Sequence, residues 1–304
     1  MSATIGGMGD LTDQMKNRIR ELEVALASKE AELQVIRKRL TDANAKLEVF
    51  IDQVATELQI ATQIQKKLSP VILPQFPGFE FSSKFIPGMK SGGDYFDIFE
   101  HDDKMKFGIL VASCSGYSMS ALLLTVLIKI SSQMEAKKGM SADQVINALG
   151  AEMLGQMKEK DKVSLFYGIV DRRNYTLSYA SVGKVSVFLQ QSGKDSLIEV
   201  EPSAAEISIA NGVKAQQDVY SLSSKDRLIL VTEGVHEVQS PKNETWGIAG
   251  VKKAIKDAPK TGVHELRNEI LIQAEQFSKK ADPDRDQTVL VMEVKDQVIK
   301  LAKI

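Results

Sequence analysis

Ser91-Gly-Gly-Asp-Tyr-Phe-Asp97 is the stretch that decides the fold of this 304-residue chain. Two adjacent glycines allow backbone conformations that are closed to other residues, and they let a ligand approach the backbone closely. They could present Asp94 at the start of a strand, where its carboxylate would suit a hard divalent cation. The same glycines could instead form a tight turn into a hairpin. The sequence further along the chain favours the first interpretation.

Further motifs lie on both sides of this stretch, three before it and six after it. They are Leu68-Ser-Pro70, Phe76-Pro-Gly78, Phe85-Ile-Pro87, Ser115-Gly116, Phe166-Tyr-Gly168, Ala180-Ser-Val-Gly183, Thr232-Glu-Gly234, Trp246-Gly247 and Asp286-Gln-Thr288. With them the chain resembles, over residues 58–294, the bacterial PPM (protein phosphatase 2C-like) serine/threonine phosphatases. The resemblance is to the type that includes the stage II sporulation E phosphatase and the sigma-regulator phosphatases.

The resemblance implies an α+β fold, an αββα sandwich in which helices cover two packed sheets. Turn residues and apolar patterns predict strands and helices that agree with it. The predicted strands are 79–85, 95–99, 106–112, 164–170, 176–180, 186–190, 219–222, 228–232 and 288–294. The predicted helices are 118–136, 142–158, 248–256 and 264–279.

The resemblance also implies a two-metal site, and the chain departs from the family pattern at several of its positions. Ser113 stands where the family has the aspartate that bridges the two metal ions. Alignment on Thr288 places Arg285 at a second ligand position, and Lys184 replaces a histidine. The carboxylates that remain as candidate residual ligands are Asp94, which follows Gly93, and Glu233 and Asp286. A shift of one residue in the alignment could bring Asp284 into the site instead of Asp286.

These departures change the charge expected in the cleft. A two-metal hydrolase needs several anionic oxygens to hold two divalent ions close together, so we expect no binuclear site. Manganese or magnesium would bind only if a residual site survives. We expect instead that a protein cation replaces the metal, with Arg285 in a bidentate pair with Asp94 or Glu233. The alternative is that Arg285 points into solvent.

Two functions are consistent with this pattern. The first is a pseudophosphatase, a signalling regulator that binds a phosphoprotein or another regulatory partner, with Lys184 and Arg285 as candidate phosphate-binding cations. The alternative is an active metal-dependent phosphoserine/phosphothreonine phosphatase with a reduced metal site. No residue is singled out as catalytic.

The N-terminal region predicts a coiled coil. Between Gly9 and Pro70 there is no glycine or proline. Apolar residues follow one another at alternating steps of four and three, interrupted at Lys29 and Ala43, which is typical of a coiled-coil seam. The seam residues are Met15, Ile19, Leu22, Leu26, Leu33, Ile36, Leu40, Leu47, Phe50 and Val54. We expect a homodimer through residues 11–69; the alternative is an amphipathic helix folded back on its own domain.

The predicted organisation has four parts: a disordered N-terminus (1–10), a coiled-coil dimerisation or linker helix (11–69), the phosphatase-like domain (70–296) and a C-terminal tail (297–304). The net charge of −1 provides no basic field for nucleic acid. The single cysteine, Cys114, excludes an internal disulfide. The longest apolar run is too short to cross a membrane and no signal peptide is recognisable, so we expect a cytoplasmic protein.

Overall fold

The structure is a computed structural model that describes residues 6–68, 73–88, 93–115, 118–192, 196–280 and 282–295. By its internal contacts the chain divides into two units, residues 1–57 and 58–304. Each unit is described by itself.

The described residues of the first unit, 6–57, lie in one long helix, α1 (Gly6–Leu68). The helix begins before the predicted boundary at residue 11. Glycine lowers helix stability without forbidding a helix, which explains the earlier start. Residues 1–5 and the predicted tail 297–304 lie outside the described residues. The apolar seam residues from Met15 to Val54 are between 36% and 61% exposed.

The second unit contains, in its described part, ten strands and five further helices. The strands are β1 (Phe79–Ile86), β2 (Gly93–Glu100), β3 (Lys106–Ser115), β4 (Lys162–Asp171), β5 (Thr176–Val182), β6 (Ser186–Gln190), β7 (Leu197–Val200), β8 (Gln217–Ser221), β9 (Arg227–Val231) and β10 (Gln287–Val294). The helices are α2 (Ser118–Lys137), α3 (Ala142–Leu154), α4 (Glu233–His236), α5 (Gly247–Asp257) and α6 (Val263–Ser278).

The nine predicted strands are all present, but the prediction missed β7 and α4, two short elements of four residues each. The predicted helix 142–158 ends at Leu154. A turn begins there, with Gly155 as the C-cap and the N–H of Gln156 donating to the carbonyl of Met153 at 2.8 Å. Gly155 keeps right-handed helical backbone angles, φ −67° and ψ −17°, so the low helix propensity of glycine, and not a left-handed cap, favours the shorter helix.

Two five-stranded antiparallel sheets form the centre of the second unit. Their strand orders are β1-β10-β9-β6-β7 and β2-β3-β4-β5-β8. In the second sheet Asp94 of β2 lies opposite Ser113 of β3, and Ser113 lies opposite Ser164 of β4. Because paired residues in neighbouring strands point to the same face, the register places these three side chains in one row across the sheet.

The layers are those of the predicted αββα sandwich. Phe96 and Val111 of one sheet pack in a common core with Leu230 and Met292 of the other. Helices α2 and α3 cover the outer face of the β2-containing sheet, and α4, α5 and α6 cover the outer face of the other. The predicted fold class is therefore confirmed. Within the described ranges, no helix is long and apolar enough to span a membrane.

Gly93 begins β2 and is required for close packing, not for an unusual backbone angle. It is absent from the glycines with positive φ. A Cβ at this position would lie 2.7 Å from the Cβ of Cys114 and 2.9 Å from the carbonyl oxygen of Ala121. The glycine thus lets the start of α2 approach β2 and β3. Gly92 lies outside the described residues.

We expect Gly93→Ala to lower the free energy of unfolding by about 1–3 kcal/mol, because the added methyl overpacks a closed contact. Urea denaturation followed by circular dichroism measures this change. Gly155→Ala is the matched control: its added Cβ would meet only the carbonyl oxygen of Glu152, at 3.7 Å. The control should stay within about 0.5 kcal/mol of the wild type. Equal losses in both variants would contradict the packing role of Gly93.

Candidate functional site

The candidate site lies at one end of the sandwich, where side chains of both sheets meet. Asp94, 2% exposed, comes from β2. Its Oδ2 accepts hydrogen bonds from Thr232 Oγ1 at 2.6 Å and from Thr288 Oγ1 at 2.9 Å, and both threonines belong to the opposite sheet or its immediate extension. Ser113 also hydrogen-bonds to the Asp94 carboxylate. The predicted metal ligand therefore joins the two sheets through hydroxyl groups.

Asp286 lies beside Asp94 and is also buried. Its two carboxylate oxygens accept hydrogen bonds from backbone N–H groups, from Gly88 at 2.8 Å and from Asp94 at 3.3 Å. The side chain of Arg285, the preceding residue, is 48% exposed. Alternate residues of this segment thus point inward and outward, and Asp286 fixes the loop before β10 to the start of β2.

The two adjacent carboxylates change the protonation of Asp94. Burial, and secondly the charge of Asp286, raise the pKa of Asp94 to about 8, although hydrogen bonds from Thr232, Ser113 and Thr288 act in the opposite direction. Burial favours the neutral form of a carboxylic acid and a neighbouring carboxylate does the same. Asp94 and Asp286 therefore titrate as a pair, and the folded chain holds a proton there up to a higher pH than an ordinary aspartate would.

A second cluster of charges surrounds Glu233, the first residue of α4. Lys184 Nζ lies 2.5 Å from Glu233 Oε1, and Arg285 Nη1 lies 3.1 Å from Glu233 Oε2. Both cations also contact Glu237, Lys184 at 3.1 Å and Arg285 at 3.0 Å. We call these four residues the charge cluster. Two positive and two negative groups alternate in it, so that its net charge is zero.

The pKa values in the charge cluster reflect this pairing. Burial of Glu233 tends to raise its pKa, but the hydrogen bond from Lys184 and the positive charge of Arg285 outweigh burial and hold the pKa below its usual range. Burial tends to lower the pKa of Lys184, and its hydrogen bond to Glu233 reverses the effect. The pKa of Glu237 is raised, first by burial and then by Glu233. Glu233 is therefore ionised and compensated by protein cations.

The contact expected between Arg285 and a carboxylate is present, with a different geometry. The sequence predicts a bidentate ion pair, in which two guanidinium nitrogens of Arg285 contact one carboxylate. The structure instead has one nitrogen, Nη1, shared between Glu233 and Glu237. Sequence analysis missed Glu237, although its position one helical turn after Glu233 is a signal that could have identified it. It also missed the hydroxyl groups of Thr232 and Thr288.

The donor set does not fit the two-metal centre that the resemblance implies. Ser113 offers a neutral hydroxyl at the bridging position, and both oxygens of Glu233 contact cations. Asp94 and Asp286 lie together, but Glu233 does not join them: the described residues contain no group of three or more His, Cys, Asp or Glu side chains able to hold a metal ion. Paired divalent ions need more anionic oxygens than this arrangement offers.

Asp94→Asn tests the buried carboxylate pair. The pKa of Asp94 is higher in the folded chain than its ordinary 3.8, so the folded state binds the extra proton and the free energy of unfolding falls as pH rises between these two values. In the wild type we expect the free energy of unfolding to decrease by on the order of a few kcal/mol between about pH 5 and about pH 8. In Asp94→Asn we expect this decrease to be absent. Urea denaturation at both pH values measures it.

Asp102→Asn, which removes an exposed carboxylate, is the matched control and should keep the wild-type pH dependence. If Asp94→Asn and the wild type lose the same stability over this pH range, the Asp94 carboxylate is not held in its neutral form.

Comparison with known proteins agrees with this fold. The family model described as stage II sporulation protein E (SpoIIE) matches residues 103–295. Phosphoserine phosphatase RsbU of Bacillus subtilis (strain 168) is 21% identical over 188 residues, which make up 62% of this chain and 56% of RsbU. The chain thus spans little more than half the length of that relative.

Solved structures with low sequence identity share the architecture. The SiaA-PP2C domain of Pseudomonas aeruginosa superposes with a TM-score of 0.66 at 18% identity, covering 81% of this chain and 97% of that domain. RsbX in complex with magnesium gives a TM-score of 0.55 at 15% identity, covering 74% and 99%. The SpoIIE model spans more than half of the sequence, and the chain therefore belongs to the SpoIIE family of bacterial PPM-type phosphatase domains.

Proposed function

We propose that this protein is a signalling regulator of the PPM fold that has lost two-metal phosphate hydrolysis and acts by binding a phosphoprotein or another regulatory protein. One observation carries the proposal: Lys184 and Arg285 lie against the two oxygens of Glu233, at 2.5 and 3.1 Å. A metal ion would have to compete with both cations for the oxygens of Glu233, and the positive charges of Lys184 and Arg285 would repel it in a partly desolvated cleft.

The exposure of the two cations supports a binding role. The side chains of Lys184 and Arg285 are 43% and 48% exposed, whereas the Glu233 side chain is 5% exposed. A phosphate group arriving from solvent therefore meets the cations first and competes with the two glutamates for them. Arginine suits phosphate oxygens because its planar fork offers paired N–H donors.

Metal titration of the full chain tests the loss of hydrolysis. Isothermal titration calorimetry with MnCl₂ and MgCl₂ should give no binding tighter than about 1 mM. A phosphoserine peptide should not be hydrolysed in the same samples. The paired substitution Ser113→Asp and Arg285→Asp restores two carboxylates and should bring manganese binding into the micromolar range, on the order of 1–100 μM.

Micromolar manganese binding by the wild type, together with metal-dependent turnover, would refute the proposal. It would support the second candidate, an active phosphoserine/phosphothreonine phosphatase with a reduced site for manganese or magnesium. Asp94 and Asp286 favour that candidate, because a bound cation would relieve the repulsion between two buried carboxylates. The relative RsbU bears the name phosphoserine phosphatase.

We further propose that α1 forms a homodimeric coiled coil through residues 11–69. The seam residues are apolar and exposed along the described helix, and burying such a stripe against a second copy removes apolar surface from water. At about 1.5 Å per residue, a helix of 63 residues is roughly 95 Å long. Ion pairs within the helix, such as Arg18 with Glu21 at 2.9 Å, flank the stripe.

Leu40→Glu tests the dimer, because it places a charge in the centre of the seam. The wild type should sediment at twice its 33.5 kDa mass. The variant should raise the dimer dissociation constant by roughly tenfold or more, since a buried unpaired charge is costly. Val35→Glu is the matched control: Val35 is 52% exposed and lies outside the seam. Equal dissociation of both variants, or a monomeric wild type, would rule out this interface.

A further inference from the structure

A cleft of about 200 Å³ lies between β1 and α6, apart from the charge cluster. Its walls include Lys84 and Ile86 from β1 and Arg267, Leu271, Ile272 and Glu275 from α6. We call it the β1–α6 cleft. Small-molecule sites are usually larger, about 300–1,000 Å³. The space of the β1–α6 cleft corresponds to one or two side chains of a bound polypeptide.

Two cations in the β1–α6 cleft have no carboxylate partner among the residues that the structure describes. Lys84 is exposed and makes no ion pair there. The guanidinium of Arg267 donates to neutral acceptors, from Nη1 to the Ser83 carbonyl at 2.9 Å and from Nη2 to Asn268 Oδ1 at 2.7 Å. Burial lowers the pKa of Arg267, with only a weaker opposing effect of Glu265. This guanidinium is thus held in place and partly desolvated, and within the described residues it forms no ion pair.

The balance of charge favours a singly charged ligand. Lys280, which also lines the β1–α6 cleft, pairs with Asp284 at 2.7 Å. Among the lining residues, the charged groups left are Lys84 and Arg267 on the positive side and Glu275 on the negative side, and Glu265 of the same helix also acts on Arg267. A singly charged carboxylate can contact Lys84 and Arg267 while adding the least negative charge beside these two glutamates. A phosphoserine carries about −1.5 to −2 at neutral pH and would experience more repulsion from Glu275.

Part of the wall of the β1–α6 cleft is apolar. Ile272 is 47% exposed, and Ile86 is partly buried beside it. An isolated exposed isoleucine is ordinary, but here it borders two uncompensated cations and a concave surface. A ligand that places an apolar side chain on Ile272 while its carboxylate contacts Arg267 would use both features.

We propose that the β1–α6 cleft is a docking site for a carboxylate-bearing segment of a partner protein, in which an Asp or Glu side chain contacts Lys84 and Arg267 and a neighbouring apolar side chain packs on Ile86 and Ile272. A second cleft of about 280 Å³ shares Ser278, Lys280 and Pro283 with it and extends to Arg285 and Glu237. A docked segment can therefore continue toward the charge cluster. This site goes beyond the proposed function, because its occupation does not depend on whether phosphate is hydrolysed.

Fluorescence anisotropy with the full chain tests the proposal. The probe is a fluorescein-labelled peptide with a blocked C-terminus and one acidic residue, Gly-Leu-Asp-Gln-Leu-Gly. Its amide counterpart has Asn in place of the Asp. We expect saturable binding of the acidic peptide in the range of about 10–500 μM and at least roughly tenfold weaker binding of the amide peptide. The double variant Lys84→Gln/Arg267→Gln should weaken binding of the acidic peptide at least roughly tenfold.

The matched control removes two exposed positive charges from α5, with Lys253→Gln and Lys256→Gln. It should change the dissociation constant less than about twofold, since it lowers only the net charge of the protein. The single variant Lys84→Glu keeps the test valid if loss of Arg267 unfolds the chain, because Lys84 is exposed. It too should weaken binding at least roughly tenfold.

Several results would overturn the proposal. They are absence of saturation up to about 1 mM peptide, equal binding of the amide peptide, and equal weakening in the α5 control. Tighter binding of a phosphoserine peptide than of the acidic peptide, lost in Lys84→Glu, would instead assign the cleft to phosphate. The β1–α6 cleft contains none of the candidate metal-site residues. Failure of peptide binding therefore leaves the proposed loss of hydrolysis untouched, and that loss is tested separately by metal titration.

Discussion

Two hydroxyl hydrogen bonds to the Asp94 carboxylate, from Thr232 and Thr288, hold the two sheets together at the end where the site lies. A buried carboxylate must be hydrogen-bonded to be tolerated in the interior. Because Thr232 and Thr288 supply these hydrogen bonds, the end of β9 and the start of β10 are fixed relative to β2. Asp286 strengthens the same link through the N–H groups of Gly88 and Asp94. Where Glu233 and Arg285 emerge into the cleft depends on this connection.

The acids of the site are stabilised in different ways. The charge of Glu233 is balanced by Lys184 and Arg285, whereas Asp94, buried beside Asp286, has a raised pKa. Asp286 accepts hydrogen bonds from the backbone N–H groups of Gly88 and Asp94. The proton held by the pair of Asp94 and Asp286 is released at alkaline pH, whereas the Arg285 guanidinium stays charged at any pH at which proteins are folded. The two parts of the site therefore respond differently to pH.

Sequence patterns predicted the sandwich well because its strands are long and apolar, as in β3 and β10. They missed β7, whose four residues are only partly buried or exposed and so lack a clear pattern. Motif comparison identified Asp94, Glu233, Lys184 and Arg285. It left open whether Arg285 or Asp286 points into the cleft, since adjacent residues of an irregular segment have no fixed periodicity. Asp286 points inward because the backbone N–H groups of Gly88 and Asp94 donate to its carboxylate. Both donors are distant in sequence, so no local pattern predicts them.

The predicted role of the glycine pair illustrates a second limit. The sequence predicts that Gly93 is needed for its backbone freedom. In the structure it is needed because a side chain at this position would clash with Cys114 and Ala121. A local sequence cannot distinguish these reasons, because the neighbours of Gly93, Cys114 and Ala121, come from strand pairing and helix packing. Likewise, Thr232 and Thr288 lie far apart in sequence, and only the β9–β10 pairing brings both hydroxyls to one carboxylate.

The alternating charges of Lys184, Glu233, Arg285 and Glu237 also constrain how this lineage can evolve. Replacing either cation alone leaves an excess acid in a half-buried cleft, and replacing either acid alone leaves an excess cation. Each single substitution at these positions therefore lowers the stability of the cleft, and a variant that keeps the charges balanced must change one cation and one acid together.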